Sequence, residues 1–116
     1  MANGDLALPS PDSDEDGPYA LVGATRAKRG FADALEKRLV SLVAPTRREA
    51  GALAYHVHRD RADRDFFVFY EAWSSVQTLR QHLAQPYIQE FLAERQNYLD
   101  GDLDIRWLRM SSPYNT

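Results

Sequence analysis

Apolar and polar side chains alternate in two stretches of the chain. In residues 52–59 the apolar positions include Leu53 and Tyr55, and residues 103–108 repeat the pattern. A period of two places successive side chains on opposite faces of an extended backbone, so both stretches are predicted to be strands with one face in a core. The polar run 60–65 is predicted to be the tip of a hairpin that leads into the next strand.

Residues 66–73 (FFVFYEAW) are apolar at both odd and even positions, which predicts a strand with two apolar faces. Glu71 and Trp73 share one of these faces with two phenylalanines, whereas Tyr70 points to the other. Residues 18–27 are the remaining strand candidate in the N-terminal half of the chain.

The helices are predicted from apolar residues at helical spacing and from capping signals. Residues 31–43 have this spacing, and Pro45 is expected to close the helix. Ser74 and Gln77 have the spacing of a capping box, so Ser74 is the predicted N-cap of a second helix. A proline inside a helix costs about 3 kcal/mol, so Pro86 is expected to break this helix and to begin a further one.

The predicted order of elements is β-α-β-β-α-β. It indicates an α+β, ferredoxin-like fold, in which two helices cover one face of an antiparallel four-stranded sheet. The other face of the strand 66–73 is then apolar and uncovered. We therefore predict a homodimer with two-fold symmetry, in which the sheet of a second copy covers this face.

Acidic residues are concentrated at the N-terminus. The first 17 residues contain five acids, no base and almost nothing apolar after Leu8. Residues 1–17 are therefore predicted to be a disordered acidic tail. Residues 18–110 are expected to form one domain and residues 111–116 a C-terminal tail.

Beyond the acidic tail the charges are nearly balanced. The chain has 14 Lys and Arg against 17 Asp and Glu, and subtracting the five acids of the tail leaves 14 against 12. Nucleic acids and anionic membranes are bound by clustered, unpaired cations, so neither partner is expected. The sequence has no cysteine, no stretch with the length of a membrane span and no secretory signal pattern, and we expect a cytoplasmic protein.

His82 and Glu71 are the candidate catalytic residues. His82 lies beside the apolar stripe of the second helix, and Glu71 faces the same side of the sheet among aromatic residues. An imidazole can take a phenolic proton near neutral pH, and a carboxylate beside it would orient the ring. A single structural hydrogen bond for His82 and a structural ion pair for Glu71 are the alternatives.

Trp73, Tyr55 and Tyr70 are the candidate substrate-binding residues. Trp73 offers a flat wall and an indole donor to an aromatic substrate. Tyr55 can reach the helix-covered side from the second strand. Tyr70 points to the opposite face by strand alternation, which favours the dimer interface unless a bulge turns it.

Two further patterns are not expected to be functional. His56, His58 and Asp60 share one strand face, as metal ligands can, but the third of them is at the hairpin tip and the chain offers no cysteine, so no metal is expected. Residues 64–70 superficially resemble the aromatic strand of an RNA-recognition module but lack its glycines.

The sequence also resembles the antibiotic biosynthesis monooxygenase (ABM) family. The resemblance extends over about residues 18–110 and is carried by five features in order: Arg29-Gly30, the run 46–55 (TRREAGALAY) with its E-x-G-x-x-x-Y pattern, the run 69–75 (FYEAWSS), the run 79–82 (LRQH), and Pro86.

The resemblance implies a dimeric α+β barrel. It also implies an enzyme that needs no cofactor and oxidises a quinol or a related polyphenol with dioxygen, so that a small aromatic substrate and dioxygen are its expected partners. Two other hypotheses stay open: an isomerase or proton-shuttling enzyme that acts on a small carbonyl compound, and a dimer that binds a small molecule without catalysis.

Overall fold

The computed structural model describes residues 7–15 and 17–114. The strands are β1 (Tyr19–Arg26), β2 (Ala52–Arg59), β3 (Phe66–Trp73) and β4 (Asp104–Arg109), and the helices are α1 (Ala32–Val40), α2 (Val43–Arg47), α3 (Val76–Leu83) and α4 (Pro86–Glu94), with a 3-10 turn at Arg95–Asn97. The strands pair antiparallel in the order β2-β3-β1-β4. The predicted ferredoxin-like α+β fold is confirmed.

Each of the two helical connections consists of two segments. The sequence predicts one helix over 31–43 that ends before Pro45, but α1 ends at Val40, and Pro45 is the third residue of α2. This prediction was wrong because a proline is tolerated in the first turn of a helix, where the backbone N–H has no partner within the helix. Pro86 begins α4, as expected.

The N-cap of α3 is Ser75, not the predicted Ser74. The Ser75 hydroxyl accepts a hydrogen bond from the Thr78 backbone N–H at 3.2 Å, and the Ser75 N–H donates to the Thr78 hydroxyl at 3.3 Å. These two bonds form a capping box in which Thr78 takes the part that the sequence suggested for Gln77. The Ser74 N–H donates instead to the Gly51 carbonyl at 2.8 Å.

The core lies between the helices and one face of the sheet. Trp73, Phe67, Leu35 and Leu79 are all 0% exposed. Strand alternation places Phe67, Phe69, Glu71 and Trp73 on this face, as the sequence predicts. Within residues 7–15 and 17–114, no helix combines the length and hydrophobicity needed to cross a membrane.

The C-terminal segment crosses the sheet. Arg109 ends β4 at one edge, whereas the Tyr114 hydroxyl donates to the carbonyl of Leu53 in β2, at the other edge, at 2.9 Å. Ala20 and Ala72 pair at this end of the sheet and are buried, although they point away from the core face. We infer that the crossing segment covers them.

Part of the N-terminal stretch contacts the domain. Residues 1–6 and residue 16 lie outside the described residues. The Tyr19 hydroxyl donates to the Pro9 carbonyl at 2.7 Å, and the Arg109 guanidinium forms ion pairs with Asp12 at 2.7 Å and with Asp14 at 2.9 Å. These contacts link residues 9–14 to the edge of the sheet. The composition of the stretch did not indicate this attachment.

The two adjacent serines provide a matched test of the cap. We expect Ser75→Ala to lower the free energy of unfolding by about 1 kcal/mol, because it removes the acceptor for the Thr78 N–H. Ser74→Ala is the control, since the exposed Ser74 side chain accepts no backbone hydrogen bond of this helix. Urea unfolding of the two variants measures the difference, and equal losses would contradict the assignment of the cap.

Candidate active site

Gly51, between α2 and β2, allows the loop that carries Glu49 to pack closely against α3. Gly51 has a φ of +85°, in the left-handed region that favours glycine. A Cβ at Gly51 would lie 2.5 Å from Thr78 Cγ2 and 2.6 Å from Thr78 Cβ, so only glycine lets this loop pass so close to the start of α3. Glu49, two residues before Gly51, is thereby held against α3 beside His82.

His82 lies between two carboxylates. Its side chain is 2% exposed, in the last turn of α3. The ring Nδ1 is 2.9 Å from Glu49 Oε2, and the ring Nε2 is 3.7 Å from Glu71 Oε1. An ionised carboxylate only accepts hydrogen bonds, so a neutral imidazole that donates to Glu49 carries its proton on Nδ1 and has Nε2 as its unprotonated nitrogen.

Glu71 is the buried carboxylate of this pair. Its Oε1 accepts a hydrogen bond from the indole N–H of Trp73 at 3.0 Å. Burial raises the pKa of Glu71 above its ordinary 4.5, although the positive charge that His82 can carry and the Trp73 hydrogen bond act in the opposite direction. The ring of Trp73 also lies against that of His82, with centroids 4.6 Å apart and an interplanar angle of 34°.

Glu49 is the more accessible carboxylate, with 12% of its side chain exposed. The Tyr87 hydroxyl donates a short hydrogen bond to the same oxygen of Glu49 that contacts His82. Burial, followed by this hydrogen bond, raises the pKa of Tyr87 to about 12, so the tyrosine keeps its proton and stays a donor. The same carboxylate oxygen of Glu49 thus has two partners, the imidazole of His82 and the hydroxyl of Tyr87.

A largely apolar pocket opens beside Glu71 and His82. Thirteen residues line it: Leu21, Leu42, Tyr55, Phe69, Glu71, His82, Leu83, Ile88, Phe91, Leu92, Leu103, Ile105 and Trp107. The centres of water-sized molecules can occupy about 50 Å³ of it. Because one water needs roughly 10–15 Å³ of such room, the pocket has space for a few water molecules.

The aromatic residues of the pocket are placed by the strands. Tyr55 approaches His82 edge-on, with centroids 5.7 Å apart, and burial raises the pKa of Tyr55 well above its ordinary value. The ring of Phe69 lies over Gly23 on β1, where a Cβ would overlap the ring atoms. The absence of a side chain at Gly23 therefore gives Phe69 its place in the pocket wall.

The structure brings three of the five predicted site residues into this pocket. His82, Glu71 and Tyr55 line it. Trp73 lies behind His82 and is not part of the pocket wall, because its indole is fully buried against the imidazole and Glu71. Tyr70 does not line the pocket either, because strand alternation turns it to the outer face opposite His56 and the bulge is in β2 rather than β3.

Glu49, Tyr87 and Trp107 are site residues that the sequence reasoning did not propose. Glu49, rather than Glu71, makes the hydrogen bond to the ring of His82. The E-x-G-x-x-x-Y run contains Glu49 and was the available signal for it. Tyr87 follows Pro86 directly, and Trp107 lies in the alternating run 103–108.

The histidines of β2 have other partners. His56 Nδ1 accepts from the Arg47 guanidinium at 3.1 Å, and His58 Nδ1 lies 3.1 Å from the Val68 carbonyl. The Asp60 carboxylate accepts from two backbone N–H groups of the hairpin, those of Ala62 and Asp63.

Comparisons with known proteins identify relatives of the chain. The model of the family "antibiotic biosynthesis monooxygenase" matches residues 18–94. The crystal structure of PA3566 from Pseudomonas aeruginosa is 32% identical and covers 86% of this chain and 100% of its own, with a TM-score of 0.78. A candidate antibiotic biosynthesis monooxygenase from Deinococcus radiodurans is 27% identical, covering 84% of this chain and 97% of its own, with a TM-score of 0.74.

A cyanobacterial relative has no described activity. The uncharacterized protein sll1783 of Synechocystis is 26% identical over 104 residues, which cover 85% of this chain and 71% of that protein. The family model, by contrast, spans well over half of the present chain, from the residue before β1 to the end of α4. The chain therefore belongs to the antibiotic biosynthesis monooxygenase family.

Proposed function

We propose that the protein is a cofactor-independent monooxygenase that oxidises a quinol or another small polyphenol with dioxygen. The observation that carries the proposal is the placement of His82, which lines an apolar pocket, has its Nδ1 bound by Glu49 and has its Nε2 3.7 Å from Glu71, another residue of the pocket wall. An imidazole held in this way is suited to take a proton from a bound phenol. Membership of the family and the likeness to the protein from Deinococcus radiodurans support oxygenase chemistry.

Deprotonation is the step that the site would supply. A quinol anion passes an electron to dioxygen far more readily than the neutral phenol does. One oxygen atom then replaces a ring hydrogen and the other leaves as water, while the substrate supplies every electron as it becomes a hydroxylated quinone. The role of the protein is to take the proton, hold the imidazolium between Glu49 and Glu71, and keep bulk water away from the anion.

An aromatic substrate requires the pocket to open. A benzene molecule fits an engineered cavity of about 150 Å³, which is larger than the 50 Å³ available in this conformation. Leu103, Ile105 and Trp107 form the part of the wall that comes from the edge strand β4 and the residues before it, and all three are partly exposed. We propose that the substrate enters by moving this wall outward.

A second candidate function is isomerisation or proton shuttling on a small carbonyl compound. It is favoured by the imidazole between two carboxylates, which could move a proton between two positions of one substrate. This reaction needs no dioxygen. Substrate conversion under strictly anaerobic conditions would therefore support the isomerase and reject the oxygenase.

We propose further that the protein is a two-fold homodimer. The outer face of the sheet carries Phe66, Val68 and Tyr70, which are only half-buried within the single chain. An apolar sheet face of this kind is stabilised by a second copy packed against it.

Removing the proposed base is expected to abolish most of the activity. His82→Gln should lower quinol-dependent oxygen uptake by about a hundredfold or more, because a general base contributes roughly 10²- to 10⁴-fold. Gln81→Ala, an exposed neighbour on the same helix, is the control and should keep full activity. Full turnover by a folded His82→Gln protein, measured with an oxygen electrode, would exclude His82 as the base.

The dimer can be tested with a charge placed on the outer face. Val68→Glu should convert a dimer into a monomer in sedimentation velocity at micromolar concentration, because a carboxylate in an apolar interface lacks a partner. Ala34→Glu, on the exposed side of α1, should leave the sedimentation coefficient unchanged. A wild-type protein that sediments as a monomer would reject the homodimer.

The raised pKa of Glu71 predicts a pH-dependent stability difference. Above about pH 4.5 the unfolded chain releases the Glu71 proton more readily than the folded protein does, so ionisation favours unfolding as the pH rises. Glu71→Gln keeps an acceptor for Trp73 but has no proton to lose. The variant should therefore gain stability over the wild type as the pH rises from about 4.5, and the two should converge below it. Urea unfolding across this range measures the gap, and a constant gap would contradict the raised pKa.

A further inference from the structure

We propose that Glu49 is the proton exit of the site: the proton that His82 takes up at Nε2 is matched by one that leaves from Nδ1 through Glu49 to solvent, and Tyr87 is a positioning residue that holds Glu49 in place. The inference rests on the proposed function for the source of the proton. The path of the proton follows from the geometry of the described residues.

The two carboxylates lie on different sides of the imidazole. Glu71 lines the pocket, and 7% of its side chain is exposed to solvent. Glu49 does not line the pocket, and 12% of its side chain is exposed. The ring of His82 therefore lies between a carboxylate on the pocket side and a more exposed carboxylate away from the pocket, and the more exposed one is the route by which a proton reaches bulk water.

The distances from the His82 ring nitrogens to the two carboxylates favour the same direction of proton transfer. The 2.9 Å contact between Nδ1 and Glu49 is a hydrogen bond through which a proton can move, whereas the 3.7 Å between Nε2 and Glu71 exceeds hydrogen-bond length. Nε2 is thus the position at which a substrate hydroxyl can be accepted. Nδ1 is the position from which a proton can be released.

Tyr87 prepares Glu49 for this task. Its hydroxyl donates to Oε2 of Glu49, the oxygen that also contacts the imidazole, and Thr46 Oγ1 lies 3.4 Å from the Tyr87 hydroxyl. These contacts hold the Glu49 carboxylate in position beside the imidazole.

Every proton in the cycle is accounted for without rotation of the His82 imidazole. The substrate O–H bond breaks and its proton binds Nε2, while the Nδ1–H bond breaks and that proton passes to Glu49 and then to water. The ring is then neutral, with its proton on Nε2. When reduced oxygen takes this proton on the way to water, Glu49 takes a proton back from solvent and passes it to Nδ1, and the resting state is restored with no electron moved by the protein.

The first experiment does not depend on activity. In ¹⁵N-labelled protein, the ring of His82 should carry its proton on Nδ1 in the wild type and in a Glu90→Gln control, whose side chain is exposed on α4. Glu49→Ala should lose this preference, and added formate should restore it where chloride at equal ionic strength does not. A wild-type ring protonated on Nε2, or a Glu49→Ala ring with an unchanged tautomer, would overturn the proposal.

The second experiment measures quinol-dependent oxygen uptake in the same proteins. Glu49→Ala should lower turnover by about tenfold or more, with recovery in formate, and Tyr87→Phe should lower it by a smaller factor while leaving the tautomer unchanged. Turnover of Glu49→Ala equal to that of the wild type would overturn the proton exit. Absence of oxygen uptake by the wild type itself would reject the proposed function, and the tautomer measurement would still decide the path.

Discussion

The desolvation of two carboxylates around one imidazole is the constraint on which the site depends. A buried carboxylate is costly unless it is hydrogen-bonded or faces a positive charge. Glu71 has the indole of Trp73 and the ring of His82 beside it, and Glu49 has the same ring and Tyr87. These contacts need four separate segments in register: the end of β3, the last turn of α3, the loop after α2 and the first turn of α4. The tight passage of Gly51 against α3 and the capping box that starts this helix keep them there.

Most of the fold could be predicted because its signals are local and agree with one another. The strands 52–59 and 66–73 were bounded correctly, since the alternation in one and the aromatic composition of the other both end at polar turns. One error falls where two neighbouring residues offer equivalent signals. Either serine before α3 could cap it, and the choice is decided by the Gly51 carbonyl, which takes the N–H of Ser74. No pattern within the helix itself contains that information.

The site could be predicted only on its sheet side. Strand alternation is enough to place Glu71 and Tyr55 on the face that the helices cover, and the apolar stripe of α3 places His82 above them. Glu49 is 33 positions from His82 along the chain and lies in a loop, where no periodicity indicates the direction of a side chain. Glu49 could therefore be identified as the hydrogen-bonded partner of the imidazole only from the structure, although the run that contains it was recognisable as a family pattern.

The ring of Phe69 lies against Gly23. The shape of the pocket therefore depends on residue 23 having only a hydrogen atom in place of a side chain. A methyl group at position 23 would displace the Phe69 ring, and one wall of the pocket would move with it. A side chain at position 23 would therefore change the size of the pocket while leaving His82, Glu71 and Glu49 unaltered.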